Sequence, residues 1–402
     1  MLINRGDHSC HLTYCLNVHP GETWQEQFQA VQTYPPRIKK LLGLTQDFGL
    51  GLRFSANSAA FLRSHPAAIA EMRDFCAGEG LYPFTVNAFP YGEFHRHPVK
   101  RSVYLPDWST PERLQYSLDA AAVLAQLLPA TLSCGSISTM PLAYRGQMLP
   151  KDLYAAIRNL DQLVSALQIL EQESGKQIRF GLEPEPDCLL DSCSSTVNFF
   201  EQAYWRYSCH PREISSRYLG VCLDTCHQGV LDESPTDCLQ KFSQAGISLA
   251  KVQLSAAPIF DQAGLSQAES FQEQVYLHQC SVRLQPGSRH SIRFPDLPAG
   301  LHFARQQQAA ELRTHFHIPL TAEDSNGRTS TRTDLDDNFF RQLARQDIGH
   351  LELETYTFAV LPQELRQQPL EQCLAADLNW CRNKLQDRTG DMGPVSYNRI
   401  SH

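Results

Sequence analysis

Residues 218 to 230 read YLGVCLDTCHQGV: an apolar run of strand length closes on Asp224, turns through Thr225 and Cys226, and delivers His227. A carboxylate and an imidazole three apart across a strand-to-helix turn can converge on one cation. The plainer alternative is an Asp that caps the next helix beside an unrelated His. Two other runs share the design. IRFGLE at 178 to 183 ends in Glu183, after which Pro184-Glu185-Pro186 breaks the ladder, and HLELETYTF at 350 to 358 carries Glu352 and Glu354 on one strand face;. Five further runs of strand length lie at 12 to 18, 48 to 55, 82 to 89, 131 to 138 and 249 to 255.

Between these eight runs lie helical patterns at 22 to 42, 58 to 79, 112 to 128, 151 to 174, 195 to 208, 235 to 246, 334 to 346 and 363 to 385. In the third, Leu114, Leu118, Ala121, Ala122 and Ala125 recur at the helical period behind the start signal Thr110-Pro111-Glu112;. Strand and helix alternating in this way indicate βαβ units, and eight of them close most simply into a TIM (β/α)8 barrel. A chain of 402 residues is long for one domain but within the range of barrels;. We therefore expect 1–402 to form a single barrel domain. The polar, Gln-rich stretch 256–320, with Pro286-Gly287 and Pro298-Ala299-Gly300, is expected to be an insertion between strands seven and eight, a small hairpin and helix near the barrel mouth;. From about Asp387 the chain reads as loosely ordered.

Composition narrows the function. Hydrophobic residues make up 42% and charged residues 19%, and the net charge of -8 disfavours nucleic acid as a partner;. Thirteen cysteines, odd in number and without paired CxxC units, indicate reduced thiols and a cytoplasmic protein;. The start MLINRGDHSC lacks a signal-peptide core, and no run of about 18 apolar residues suggests a membrane segment;.

Barrel enzymes place their chemistry at the C-terminal strand ends. There the sequence puts Glu183, Asp224, His227 and Glu354, a donor set suited to Mn²⁺, Mg²⁺, Co²⁺ or Zn²⁺;. His315 and His317 in THFHIPL alternate onto one face of a short strand, so His317 could reach the metal from above. Asn17, His19, Arg53 and Asn87 at the ends of strands one to three, together with Glu185, are expected to line a substrate pocket, Arg53 through a bidentate anion contact;. The basic loop with His95, Arg96, His97, Lys100 and Arg101 could hold a phosphate or carboxylate, His95 and Lys100 being its proposed substrate contacts.

These strand-end residues resemble those of the xylose-isomerase-like TIM barrels, a superfamily of sugar isomerases and epimerases, inosose-type dehydratases and an endonuclease branch. The resemblance implies a metal site of Glu183, Asp224, Gln253 and Glu354, with Gln253 standing where many members carry His. Across almost the whole chain, LTYCLNVHPGE, FPYGEFHRHPVK, YLPDWSTPER, GLEPEPDCLL, LDTCHQGV, THFHIPL and ELETYTFAVLP are similar to the EboE family of metabolite-traffic proteins, found in gene clusters with a prenyltransferase. The two resemblances imply a metal-dependent isomerase or epimerase acting on a sugar-like or polyol metabolite in a secondary-metabolite precursor pathway. Glu183 or Glu354 would take the proton from carbon, His227 would act as ligand or orienter, and proteins of the same cluster would be partners. The alternative they imply is a non-catalytic carrier that hands a precursor on. The acidic balance speaks against the endonuclease branch.

Overall fold

Strands of a parallel sheet are buried on both faces, so they read as near-continuous apolar runs, and each of the eight runs above contains a strand. The computed structural model describes residues 1–5, 8–288, 290–325, 327–346 and 348–386; the stretch from Asp387 lies outside them. In chain order the strands are β1 (Leu2–Arg5), β2 (His8–Tyr14), β3 (Phe48–Arg53), β4 (Leu81–Asn87), β5 (Cys134–Thr139), β6 (Gln177–Leu182), β7 (Leu219–Asp224), β8 (Leu249–Leu254), β9 (Pro258–Phe260), β10 (Cys280–Arg283), β11 (Ile292–Phe294), β12 (Glu311–Thr314), β13 (Arg328–Ser330) and β14 (His350–Leu353). Eight of them lie side by side in the order β2-β14-β8-β7-β6-β5-β4-β3, every pairing parallel. A parallel bridge from Cys15, just past β2, to Gly51 in β3 draws the two edges together. With helices in the connections, this is a TIM barrel. β1 extends the sheet antiparallel to β2.

Local chemistry shifts some boundaries. The first strand sits earlier than its pattern, at His8–Tyr14, and Leu16–Val18 forms a 3-10 turn. The helical pattern at 58 to 79 resolves into two helices, Ala56–Ser64 and Pro66–Glu79. Pro66 occupies the first turn of the second helix and holds His65 out of the helical region, at φ -126° and ψ 75°;. No helix among the described residues is long and apolar enough to cross a membrane.

Between β8 and β14 the chain builds more than a hairpin and helix. A five-stranded antiparallel sheet, in the order β11-β10-β12-β9-β13, starts at Pro258 and reaches Ser330, with the helix Leu297–Gln306 against β10 and β12. It is tied to the turn after β7, where Ser281 Oγ donates to the Val230 carbonyl at 2.6 Å and Arg313 reaches the Gly229 carbonyl and Asp232, both at 2.8 Å.

The barrel interior is polar. The period of two that turns Gln253 and Glu354 inward also turns Lys251 and Glu352 inward, and these two form a fully buried ion pair, Nζ to Oε2 at 2.5 Å;. Lys251 also donates to Thr85 Oγ1 (3.2 Å) and the Val86 carbonyl (3.4 Å). Burial disfavours the Lys251 ammonium, but Glu352, together with Cys222 and Cys15, more than offsets it and keeps the group charged;. Opposite stands Gly51, where a Cβ would come within 2.0 Å of Glu352 Oε1, so only glycine leaves room for the carboxylate;.

Removing one partner of such a pair strands the other charge in a dry interior. Lys251→Met should therefore cost about 3–5 kcal/mol, and Lys251→Met with Glu352→Gln should recover much of it, as read from denaturant midpoints. A single variant as stable as the parent would show that the pair is not what holds the interior. A second expectation concerns Asp377, buried on the helix Leu370–Gln386, where it accepts from Leu320 N, Thr321 N and Thr321 Oγ1 at 3.0, 2.8 and 2.7 Å. Burial pushes its carboxyl up to about 6 against the pull of these donors and of Arg332. The folded protein thus holds this proton to higher pH than the unfolded chain. Stability from this group is complete below about pH 4 and falls as pH rises to about 6, by on the order of 2 kcal/mol. Compared with Asp377→Asn across that window, the wild type should lose stability as pH rises; parallel curves would refute the assignment.

Candidate metal centre

Asp224 ends β7 and caps the short helix Thr225–Val230. Its Oδ1 accepts from Cys226 N (2.8 Å), His227 N (3.2 Å) and Ser255 Oγ (2.7 Å). Capping uses one oxygen and leaves Oδ2 facing His317 Nδ1 at 4.0 Å. The same cap sets His227 in the first helical turn, aimed back over the strand ends. Here the capping residue and the candidate ligand are one side chain.

Three imidazoles meet above this strand end, and the proton of each is fixed by its neighbours. His227 Nδ1 lies 2.9 Å from the Pro184 carbonyl and His317 Nδ1 lies 3.1 Å from the Glu354 carbonyl; carbonyls only accept, so both Nδ1 atoms carry the hydrogen;. His315 Nδ1 lies 2.8 Å from Gln279 Oε1. The Gln279 amide is oriented by its nitrogen, which donates to the Pro186 carbonyl (3.0 Å) and Tyr104 Oη (2.8 Å), so its oxygen faces His315 and that Nδ1 is protonated as well;. In neutral rings all three Nε2 atoms are then unprotonated acceptors, that of His315 with the Tyr356 hydroxyl 3.5 Å away. Burial drives the His315 pKa well below the ordinary range and takes His317 down to about 4.

His315 Nε2 and His317 Nε2 nevertheless face each other at 3.1 Å. Two lone pairs so placed repel, whereas two nitrogens on one cation at bond lengths of about 2.0–2.1 Å sit at roughly this spacing. Asp224, His227 and His317 form one set of donors within 4.8 Å of one another, and Glu185, His227 and His315 form a second. The residues present therefore fit a divalent cation, and a nitrogen-rich set favours Zn²⁺ or Co²⁺ over Mg²⁺. Each ring nitrogen turned away from this point is held by a carbonyl oxygen of the backbone or of Gln279, the outer-shell arrangement typical of metal-binding histidines.

The acids lie beside the imidazoles. Glu183 directly follows β6, with Oε1 3.9 Å from His227 Nδ1, and Glu354 directly follows β14, with Oε1 accepting from Asn17 Nδ2 at 2.5 Å. Burial, with the charges of Asp224 and Glu354, raises the Glu183 carboxyl well above its ordinary range. Burial, with the Glu352 charge, pushes Glu354 up to about 8. Gln253 lies between them. In one amide orientation it donates to Glu354 Oε2 at 3.4 Å, and in the other to Glu183 Oε1 and Oε2 at 2.8 and 3.1 Å. The second pairing is the better one, and it makes Gln253 a clamp on Glu183.

A cavity of ≈ 490 Å³ opens over this floor. Asn17, Asn87, Lys100, Glu183, Glu185, His227, His317 and Glu354 all line it, as does His315. His19 and Arg53 do not. They line a separate void beside the helix Trp24–Leu41, because the chain turns away after β2 and β3. His19 stacks on Tyr34 at 3.7 Å, and Arg53 is spent on the Gly21 and Gly92 carbonyls and on Glu22, so no bidentate fork is left for a substrate anion. His95 turns its Nε2 to the Asn17 carbonyl at 2.7 Å and supports the wall rather than lining it. Strand-end reasoning missed Tyr104, which donates to Glu185 Oε1 at 2.6 Å, and Gln279, which joins Tyr104 to His315. The signal available was Glu185 itself, an acid two residues from Glu183 that needs a donor once buried.

No protein-family model and no curated protein matches the chain. Among solved structures, a xylose isomerase domain protein from Planctomyces limnophilus matches at 11% identity and a TM-score of 0.48, over 94% of this chain and 98% of its own. The IolI protein with a bound zinc atom matches at 10% and 0.47, over 95% and 100%. A xylose isomerase domain protein from Alicyclobacillus acidocaldarius subsp. acidocaldarius matches at 12% and 0.45, over 94% and 99%. At these values the likenesses assign no chemistry to this chain.

Metal addition tests the centre. Zn²⁺ or Co²⁺ added to chelator-treated protein should raise Tm, by linkage of binding to the folded state, and Mg²⁺ should do so far less. His227→Ala and His315→Ala should each abolish the rise. Equal response of wild type and both variants would place the ion elsewhere.

Proposed function

We propose that this protein is a metal-dependent isomerase or epimerase-like enzyme that moves a proton on a sugar-like or polyol metabolite. The observation that carries the reading is the convergence of two buried, proton-avid carboxylates, Glu183 and Glu354, on the same cavity as three imidazoles with unprotonated Nε2 atoms. Asp224, His227, His315 and His317 would hold the ion, with Glu183, Glu185 and Glu354 at its edge. A divalent cation bound there would polarise a carbonyl or a pair of hydroxyls and acidify the neighbouring C–H.

The chain's own residues supply the rest. Glu183, with its raised proton affinity, takes the proton from carbon, and the Gln253 amide holds its oxygens in place;. Glu354, fixed by Asn17, is the partner that returns a proton to the adjacent position. Two acids on one floor can thus divide base and acid roles. The insertion roofs the cavity through Tyr276 and Leu277 and limits water at the reacting carbon;.

Gln253 favours a second reading. An amide clamped onto Glu183 is a weaker metal ligand than the imidazole that many xylose-isomerase-like barrels carry there, which suits a carrier that binds a metabolite without turning it over. That is the role expected of an EboE-type traffic protein passing a precursor to partners of a prenyltransferase cluster.

Solvent deuterium separates the two. In D₂O with Zn²⁺ or Co²⁺ supplied, the wild type should wash deuterium into the carbon next to a carbonyl in at least one member of a ketose, aldose and inosose panel, read by proton NMR. Glu183→Gln should slow this about 10²–10⁴-fold while metal content is retained. Substrate binding without exchange in the metal-loaded wild type would support the carrier and sink the enzyme reading.

A further inference from the structure

The cavity has two chemically different ends. Its floor holds the acids and imidazoles. Its outer wall is built from three aromatic rings at mutual centroid distances of 5.1–5.2 Å: Phe94 from the connection after β4, Tyr276 from the insertion, and Tyr356 from just beyond β14. Phe94, Val99 and Tyr276 form an apolar cluster separate from the barrel core, and Val103 packs against it. Phe94 and Tyr276 are themselves buried, but with Tyr356 they line the cavity over the site, and apolar lining of this kind is where a ligand buries area;.

Several polar groups near the wall are already engaged. The Tyr104 hydroxyl is used by Glu185 and Gln279, the Lys100 ammonium lies 2.8 Å from Asp296, and Asn87 Oδ1 accepts from Phe89 N. At the floor, Asn17 Oδ1 is buried without a partner beside Glu354 and is free to accept a ligand hydroxyl. A free sugar presents hydroxyls around its whole rim, and each one buried against a ring without a partner costs about 1–3 kcal/mol.

We propose that the Phe94–Tyr276–Tyr356 wall selects an amphiphilic substrate, one with vicinal oxygens at its head for the floor and an aryl or branched alkyl group at its tail for the wall, in preference to a free sugar. The inference rests on the metal reading of the floor for the head group, whereas the tail stands on the wall alone. Stacking and burial of one phenyl group against three rings distinguish a ligand with a tail from one without it.

Paired probes test both ends on the full chain. With Zn²⁺ supplied, benzohydroxamic acid should bind at least tenfold more tightly than acetohydroxamic acid, which shares its chelating head. Tyr276→Ala should bring that ratio toward one, and Phe94→Leu, a milder change that keeps the wall filled, should lower it. Equal affinity for the two hydroxamates in the wild type, or a ratio that neither variant moves, overturns the proposal while leaving the metal centre intact. If zinc does not bind, the floor reading fails by itself. Phenol, which needs no metal, then reads the wall: saturable binding weakened by both variants supports the tail site, and no binding overturns it.

Discussion

The buried Lys251–Glu352 pair is the electrostatic constraint under which the rest of the barrel is built. A charge at the centre of a closed sheet is tolerated only with a partner at contact distance and with hydrogen bonds for its remaining donors. The strands answer that need: Thr85 and Val86 of β4 take the other ammonium donors, and Gly51 of β3 stands back from the carboxylate. One lysine neutralises one acid, however, and Glu183, Asp224 and Glu354 lie just above. Lys251 lowers the proton affinity of Glu183 and Glu354, yet burial and mutual repulsion still hold both well above ordinary carboxylates. The barrel axis therefore carries more negative charge than its own cation can balance. A divalent ion at the mouth would relieve that excess, and so would protons on the acids.

The imidazoles receive the complementary treatment. Each has its Nδ1 hydrogen directed to a carbonyl oxygen, two of the backbone and one of Gln279, so that Nε2 is the unprotonated nitrogen. Single hydrogen bonds of this kind contribute modestly to stability, but together they set the protonation of three rings. His278 extends the arrangement outward: its Nδ1 lies 2.7 Å from the His315 carbonyl, and its ring stacks on Phe316 at 3.5 Å, which fixes the segment after β12 that carries His315 and His317.

What the sequence makes legible follows from where its signals come from. Parallel strands buried on both faces leave apolar runs, and an acid that ends such a run at Glu183, Asp224 or Glu354 stands out. Lys251 does not. A lysine inside LAKVQLS resembles a solvated position, and only the inward phase shared with Gln253 and the presence of Glu352 across the sheet give it meaning. His19 and Arg53 show the reverse error. Their strand-end positions suggest the mouth, but position along a strand does not say where the backbone turns next, and both side chains go to a neighbouring void. Gln279 and Tyr276 lie in a polar, Gln-rich stretch whose pattern shows a loop and hides a sheet, because strands of three or four residues are too short to display a period;.

This division of labour has a thermodynamic consequence. The barrel strands supply the acids together with Asp224 and His227, whereas the chain between β8 and β14 supplies His315 and His317, their support from Gln279, and part of the aromatic wall. A cation ligated from both sides would span barrel and insertion, and its binding free energy would then also favour docking of that sheet onto the mouth. The direct ties seen now, Ser281 and Arg313 to the turn after β7, hold the sheet at its far side. On the near side Gln279 already donates to the Pro186 carbonyl and His317 Nδ1 to the Glu354 carbonyl, so a cation held by His315, His317, Asp224 and His227 would add to contacts that are in place.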